Sequence, residues 1–393
     1  MKILFIFCDM LRGNTILKED DIFFKNYLKK WLENDFFGTI FTNSYTGTPD
    51  TARGLGMIFS GMYPKKNGCS YKINYPKYYL KKNKFTLYKL LKEKKFNIKF
   101  YIDEKTDKLG NFPRGLEIDE KKIISNQDEI IKDLKIELDK NKNFFSFINI
   151  NDYHTTVDDY GANKFSDFLA KKRITNFFKF FFKNIDKDIF DYIFIFSDHG
   201  NKYDRLFKKE NRLLFLNDDR TNITMIMRKK NDNVLKKDNS LRTLVDIVPT
   251  ISEILELKTN KLDGISLLNN NKKIINSRRI IIEDYDDFYS IYNFKIWGYI
   301  DYKNIYVTDL KNNILINKNK KEEVKENFLI PELIKKEIQM GSIEYKRKER
   351  INNLENYFKR NVYILEYRYI SGKKRKLFYK IIKIFFKKVI LWK

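Results

Sequence analysis

The sequence predicts an α/β protein built on a mostly parallel sheet with helices on both faces, and three observations predict it. Short, continuously apolar runs such as Ile3–Phe7, Phe144–Asn149 and Tyr192–Phe196 alternate with longer amphipathic stretches. A strand that is apolar throughout is covered on both sides, as parallel strands are. The 393 residues, 42 % of them hydrophobic, are enough for one large α/β body with a smaller appendage. Near Arg278 the texture changes to short strands with polar turns, which predicts a small antiparallel unit.

Strands are expected at Ile3–Phe7, Thr39–Asn43, Ile98–Ile102, Phe144–Asn149, Tyr192–Phe196 and Ile223–Met227. Helices are expected at Asp21–Asn34, Thr51–Ser60, Lys84–Lys94, Asp128–Asn141, Lys164–Ile185 and Arg242–Leu257. Pro49 and Asp50 open the second of these. Beyond them lie the short strands Arg279–Glu283, Phe294–Ile300, Asn304–Thr308 and Asn313–Asn317. Residues 335–360 read as a charged helix. The expected division is a catalytic body at 1–277, a β unit at 278–330 and a helical extension at 331–393.

The formal charge is +26, from 78 basic and 52 acidic residues. Such a balance invites a nucleic-acid reading. The abundance of Lys together with Asn, Ile, Phe and Tyr argues instead for a compositional drift, and nucleic acid is not the expected partner. Nine of the basic residues fall in 373–393, which contains no acid. Two cysteines, Cys8 and Cys69, make no disulfide framework and fit a reducing compartment. The apolar start runs directly into Asp9 and Arg12 without a cleavage site, and no apolar run reaches the ~18 residues of a spanning helix. The expected location is therefore cytoplasmic.

In parallel sheets the reactive residues collect beyond the carboxyl ends of the strands. Both histidines of the chain sit there, His154 after Phe144–Asn149 and His199 after Tyr192–Phe196. His199 lies in Ser197-Asp198-His199-Gly200, where adjacent carboxylate and imidazole can share a divalent cation. Asp9 ends the first strand in the same way and would be a third ligand, although a helix N-cap explains it equally. Thr51 would open a helix, where free amides favour anions. A metal-bound threonine hydroxyl becomes a nucleophile. Arg53 could pair with phosphate or sulfate oxygens. Thr48 or Thr51 could also simply cap the helix.

Taken in order, these strings resemble the sulfatase-like branch of the alkaline-phosphatase superfamily, over roughly residues 1–325. Ile3–Arg12 looks like the family's first strand with its metal carboxylate. Thr51 through Ser60-Gly61-Met62-Tyr63-Pro64 is similar to its nucleophile helix, and the spacing to the Gly-x-Tyr-Pro string favours Thr51 over Thr48. Asn151–His154 resembles the substrate-contacting histidine segment, and Ser197–Gly200 the second metal string. Leu244-Val-Asp246-Ile-Val-Pro249-Thr250, Asp263-Gly264-Ile-Ser266-Leu267 and the strands from Lys295 to Leu310 match strings without chemistry. The resemblance implies an alkaline-phosphatase-like fold and one divalent ion (Mn, Zn, Mg or Ca) held by Asp9, Asp198, His199 and Thr51. It also implies a phosphate- or sulfate-ester substrate contacted by His154, Arg53 and Arg12.

The departures shape the expected activity. The Cys-x-Pro-x-Arg string that yields formylglycine is absent, and threonine cannot give that aldehyde. Met10 stands where the family has a second aspartate. Thr51-Ala52 resembles the nucleophile of phosphoethanolamine and phosphoglycerol transferases, which implies a phospho-threonine intermediate. The expected function is phosphoester hydrolysis or phospho-alcohol transfer, on a lipid-linked or glycan substrate. The alternatives are a monoester hydrolase and an inactive basic membrane- or nucleic-acid-binding protein. In the tail, Lys376, Lys380, Lys383 and Lys387 recur at helical spacing against an apolar face that ends near Trp392. That pattern predicts a basic amphipathic helix on the inner membrane surface, or else one docked on the enzyme body.

Overall fold

The computed structural model describes residues 1–20, 22–69, 80, 85–103, 118, 121–123, 126–201, 216–257, 262–286, 294–309, 313–318 and 323–324. The charged extension and the tail, with Lys376, Lys380, Lys383, Lys387 and Trp392, lie outside the described residues.

The strands of the main sheet are β1 (Lys2–Cys8), β2 (Gly38–Tyr45), β3 (Asn97–Ile102), β4 (Lys121–Ile123), β5 (Phe144–Ile150), β6 (Tyr192–Phe196), β7 (Met225–Lys229) and β8 (Leu235–Thr243). They lie in the order β4-β3-β5-β1-β6-β7-β2-β8. Every pairing is parallel except the two made by β7. The continuous apolar runs sit at the centre, where β1 is flanked by β5 and β6 and its Ile3–Cys8 are fully buried.

Alternation along β1 assigns its side chains to two cores. Ile3, Phe5 and Phe7 join a core that includes helix α3 (Thr51–Ser60), whereas Leu4, Ile6 and Cys8 face the opposite layer. The first layer also holds α4 (Leu87–Glu93) and α9 (Ile247–Ile254); the second holds α2 (Tyr27–Trp31), α5 (Gln127–Lys140), α6 (Asp152–Tyr160) and α7 (Lys164–Asn184). Two short helices, α1 (Gly13–Ile16) and α8 (Asp218–Thr221), lie on the connections after β1 and before β7. No described helix is long and apolar enough to cross a membrane.

The expected antiparallel unit is a five-stranded sheet, β9 (Ile280–Asp286) to β13 (Glu323–Val324), in the order β13-β12-β11-β10-β9, with β10 at Phe294–Ile300, β11 at Asn304–Thr308 and β12 at Asn313–Asn317. Its core of Ile280, Ile282, Ile296, Ile300, Ile305 and Val307 includes Tyr45 and Leu241 of the main sheet. The backbone N–H of Glu283 donates to Gly47 O at 2.9 Å, so β9 lies directly beside the segment that leads into α3.

Two expectations shift. The helix expected at Asp21–Asn34 is only α2, continued by one π-helical turn at Leu32–Phe36. The helix expected at Arg242–Leu257 begins later, because Arg242 and Thr243 end β8. Asp246 causes the switch: its carboxylate accepts from Thr243 N–H at 3.0 Å and Ile265 N–H at 2.9 Å, and Arg278 grips both its oxygens at 2.8 and 2.6 Å. Gly264 packs so tightly there that an added Cβ would lie 2.0 Å from Val245 O. The Asp246 and Asp263-Gly264 strings are therefore framework.

Candidate active site

Asp9 follows the last residue of β1, and its N–H donates to Ile150 O of β5 at 3.0 Å. The chain then turns sharply. Met10 takes the left-handed conformation (φ 67°), which is uncommon for a side chain of its size. The turn aims Met10 N–H at Asp198 Oδ1, 3.1 Å away. Beyond β6, the Ser197 hydroxyl donates to Leu11 O at 2.7 Å and accepts from Thr224 N–H at 3.0 Å, which ties the ends of β1, β6 and β7 together. Asp198 Oδ1 also accepts from His199 N–H at 2.9 Å. Gly200 is required at this bend, because a Cβ there would lie 2.2 Å from Asp219 O.

These turns bring Asp9, Asp198 and His199, all buried, to within 4.8 Å of one another by their ligand atoms. His199 Nδ1 lies 2.7 Å from Gly200 O. A carbonyl only accepts, so Nδ1 carries a proton, and in the neutral imidazole Nε2 keeps its lone pair. That nitrogen faces Asp198 Oδ2 at 3.3 Å, and Oδ2, although buried, accepts no hydrogen bond. With the imidazole neutral, these two lone-pair atoms repel unless a cation lies between them. Two carboxylates, an imidazole nitrogen and a nearby hydroxyl form a donor set suited to a divalent ion.

The hydroxyl comes from α3. Asp50 caps that helix, accepting from Arg53 N–H at 3.0 Å, so the amides of Thr51 and Ala52 in the first turn have no intrahelical acceptor. Thr51 Oγ1 donates to Asp9 Oδ1 at 3.4 Å. The helix comes this close because Gly54 lacks a side chain: an added Cβ would stand 2.9 Å from Asp198 Cβ. Thr51 is thus the first helical residue, and the cap belongs to Asp50.

His154 lies in the first turn of α6, just past β5, whose neighbour in the sheet is β1. It is half-buried, and its Nδ1 lies 2.8 Å from Asp158 Oδ2, one turn further along. That pairing leaves Nε2 as the nitrogen directed away from Asp158.

No family model matches the chain, and no curated protein matches it in sequence. Solved structures do. The chain is similar to a protein in the alkaline phosphatase superfamily from Vibrio parahaemolyticus, with TM-score 0.61 and 15 % identity over 85 % of this chain and 83 % of that one. It is similar to a 2-O GAG sulfatase, with TM-score 0.60 and 14 % identity over 87 % and 90 %. It is also similar to the phosphonate monoester hydrolase of Agrobacterium radiobacter, with TM-score 0.57 and 12 % identity over 81 % and 90 %. The fold is that of the alkaline phosphatase superfamily. The eight-stranded sheet and the appended antiparallel sheet expected for that superfamily fold are both present.

Within this fold, four expected site residues converge, two take other partners, and His154 pairs with Asp158 on α6. Asp9, Asp198, His199 and Thr51 meet at one edge of the sheet. Arg53 is fully buried: Nε is bound to Asp50, Nη2 donates to Asp284 at 3.1 Å and Nη1 lies 3.9 Å from Glu283. Arg12 is also buried and is paired with Asp219. Both guanidiniums are buried and tie the surrounding loops together. Arg220 completes the first network, reaching Asp284 at 3.3 Å and Pro49 O at 3.2 Å.

Sequence reasoning missed Asp158, Asp284 and Arg220. The first had a usable signal, since it lies four residues after His154 on what proves to be a helix. Asp284 and Arg220 had none, because their pairing crosses between the two sheets. Cys8 is no rival nucleophile: burial, then Asp152 and Asp9, push its thiol well above its usual pKa.

Proposed function

We propose that this chain is a metal-dependent enzyme that cleaves a phosphoester through a covalent phospho-Thr51 intermediate. The observation that carries the reading is Thr51 Oγ1, at the N-terminus of α3, 3.4 Å from Asp9 and beside the Asp198–His199 pair. Asp9, Asp198, His199 and Thr51 would hold one divalent ion: Mn, Zn, Mg or Ca. When bound, that ion lowers the pKa of the hydroxyl and offsets charge on the phosphoryl oxygens.

The chain's own residues supply the rest. Thr51 Oγ attacks phosphorus, forming an O–P bond as the bond to the leaving alcohol breaks. Asp9 Oδ1 already accepts the Thr51 hydrogen bond and gives the proton a place to go. The unbonded amides of the first turn of α3 favour the phosphoryl oxygens. His154 gives a proton to the leaving alcohol. Water, or an acceptor hydroxyl, then gives its proton to His154 and attacks phosphorus as the Thr51 O–P bond breaks, and Asp9 returns the proton to Thr51 Oγ. Water makes the enzyme a hydrolase; a sugar or lipid hydroxyl makes it a phospho-alcohol transferase. Arg53 orients α3 through Asp284 rather than touching substrate.

A second reading is hydrolysis of a sulfate or phosphate monoester. Similarity to a sulfatase and a phosphonate monoester hydrolase favours it. Threonine in place of a formylglycine precursor favours the phosphoester. Contact of the Lys376–Trp392 segment with a membrane rests on sequence pattern alone, and the catalytic reading does not need it.

Mass spectrometry of peptides from protein incubated with a phosphodiester tests the proposal. The expected result is a phosphoryl or phospho-alcohol adduct on Thr51. Turnover at the wild-type rate by Thr51→Ala would refute it.

A further inference from the structure

Loop 17–26, between α1 and α2, carries the two most exposed large apolar residues among those described: Ile22 at 94 % and Phe23 at 81 %. They are adjacent in sequence, whereas every other exposed large apolar residue described stands alone. Isolated surface apolar residues need no explanation; a projecting pair does.

The loop that presents them is braced from inside. Buried Asn26 donates its amide to the carbonyls of Thr15, Ile16 and Lys18 at 3.2, 2.8 and 2.9 Å, and its N–H to Asp20 at 2.7 Å. Behind the tip lies a shelf of half-buried aromatic rings: Phe24 against Phe168 at 5.3 Å and Phe165 at 6.4 Å, and Tyr27 against Phe168 at 6.1 Å. Of the loop's three acids, Glu19 is paired with Lys29 at 2.5 Å and Asp20 with Lys30 at 2.8 Å, and Asp21 lies outside the described residues. Exposed Lys18 and Lys25 flank the tip, and Lys172 lies over the Tyr27 ring at 5.8 Å. A projecting apolar tip, aromatic rings behind it and a lysine rim fit the interfacial zone of an anionic bilayer, where apolar tips enter the acyl boundary and cations meet head groups.

The location adds to the argument. The loop leaves the carboxyl end of β1 through α1, whose Thr15 hydroxyl shares Asp167 with the Tyr153 hydroxyl, at 3.2 and 2.7 Å. Tyr153 immediately precedes His154. The patch therefore sits on the connection that leaves the carboxyl end of β1, the strand end that carries Asp9.

We propose that loop 17–26 and its aromatic shelf dock this protein on an anionic lipid surface, with the strand-end face turned toward the bilayer. The docking is independent of the catalytic reading; only the inference that the ester lies in or near the membrane plane rests on it. The test is sedimentation of the full chain with phosphatidylglycerol–phosphatidylethanolamine vesicles. Ile22→Ser with Phe23→Ser is expected to lower the partition coefficient about tenfold or more, with turnover of a water-soluble aryl phosphoester unchanged. Phe23→Trp is expected to show a blue-shifted emission on the same vesicles, quenched by brominated lipid. Equal partition of the double serine variant, or an unshifted Trp on vesicles that bind the protein, overturns the proposal and leaves binding to the tail. A dimer in light scattering that the serine variant dissociates also overturns it, making a second copy the occupant.

Discussion

Two groups of carboxylates flank the first turn of α3, and they are neutralised in different ways. On one side Asp50, Glu283 and Asp284 are held by Arg53 and Arg220, cations of the chain itself. On the other, Asp198 is fully buried beside Asp9, and among the described residues its Oδ2 faces His199 Nε2 at 3.3 Å. The chain is able to supply arginines to a buried carboxylate; among the described residues none pairs with Asp198. Burying such a charge unpaired is costly. The first group is thus held by cations of the chain itself, and the second is the proposed receptor for a cation from solution.

The comparison can be broken in several places. The largest effect is expected at the nucleophile: Thr51→Ala should lower diester turnover by about 10³-fold or more, read by steady-state kinetics, with the melting transition little moved. Asp198→Asn should lose the bound ion, read by elemental analysis, and about 100-fold in activity. Its metal-free form should melt no lower than metal-free wild type, because the change removes an uncompensated charge. Arg53→Met should do the opposite. It strands Asp284 and Glu283 and should cost about 3–5 kcal/mol in denaturant unfolding, with or without metal.

Gly54→Ala sharpens the boundary between the two groups. In an open helix this change gains about 1 kcal/mol; here the new methyl meets Asp198, and the expected result is roughly tenfold weaker metal binding. The smallest effect concerns Lys318, whose amine burial pulls from 10.5 to about 8. Its folded pKa lies below its unfolded value, so the unfolded chain holds more protons between these limits. Stability should rise as pH climbs through that window, and Lys318→Met should flatten the rise, as read by melting temperature against pH.

Much of this architecture was legible in the sequence. The central strands announced themselves because burial on both faces leaves no polar position in Ile3–Phe7 or Tyr192–Phe196, and α3 was legible to the residue because Asp50 caps it and left-handed Gly61 ends it. β8 escaped because Leu235–Thr243 alternates poorly, with Lys236 and Lys237 on a solvated edge. The cluster of Asp9, Asp198 and His199 was visible because each of these residues sits one to three residues past a strand end. The contacts of Arg53 were not, since its partner Asp284 lies 231 residues away in sequence.

The most direct test of the four-residue corner is a crystal of the protein with Mn²⁺, examined by anomalous scattering. The expected result is one peak about 2.0–2.3 Å from oxygens of Asp9, Asp198 and Thr51 and from His199 Nε2. A saturated crystal whose only peaks lie elsewhere, with Asp198 Oδ2 and His199 Nε2 still facing each other, would contradict it.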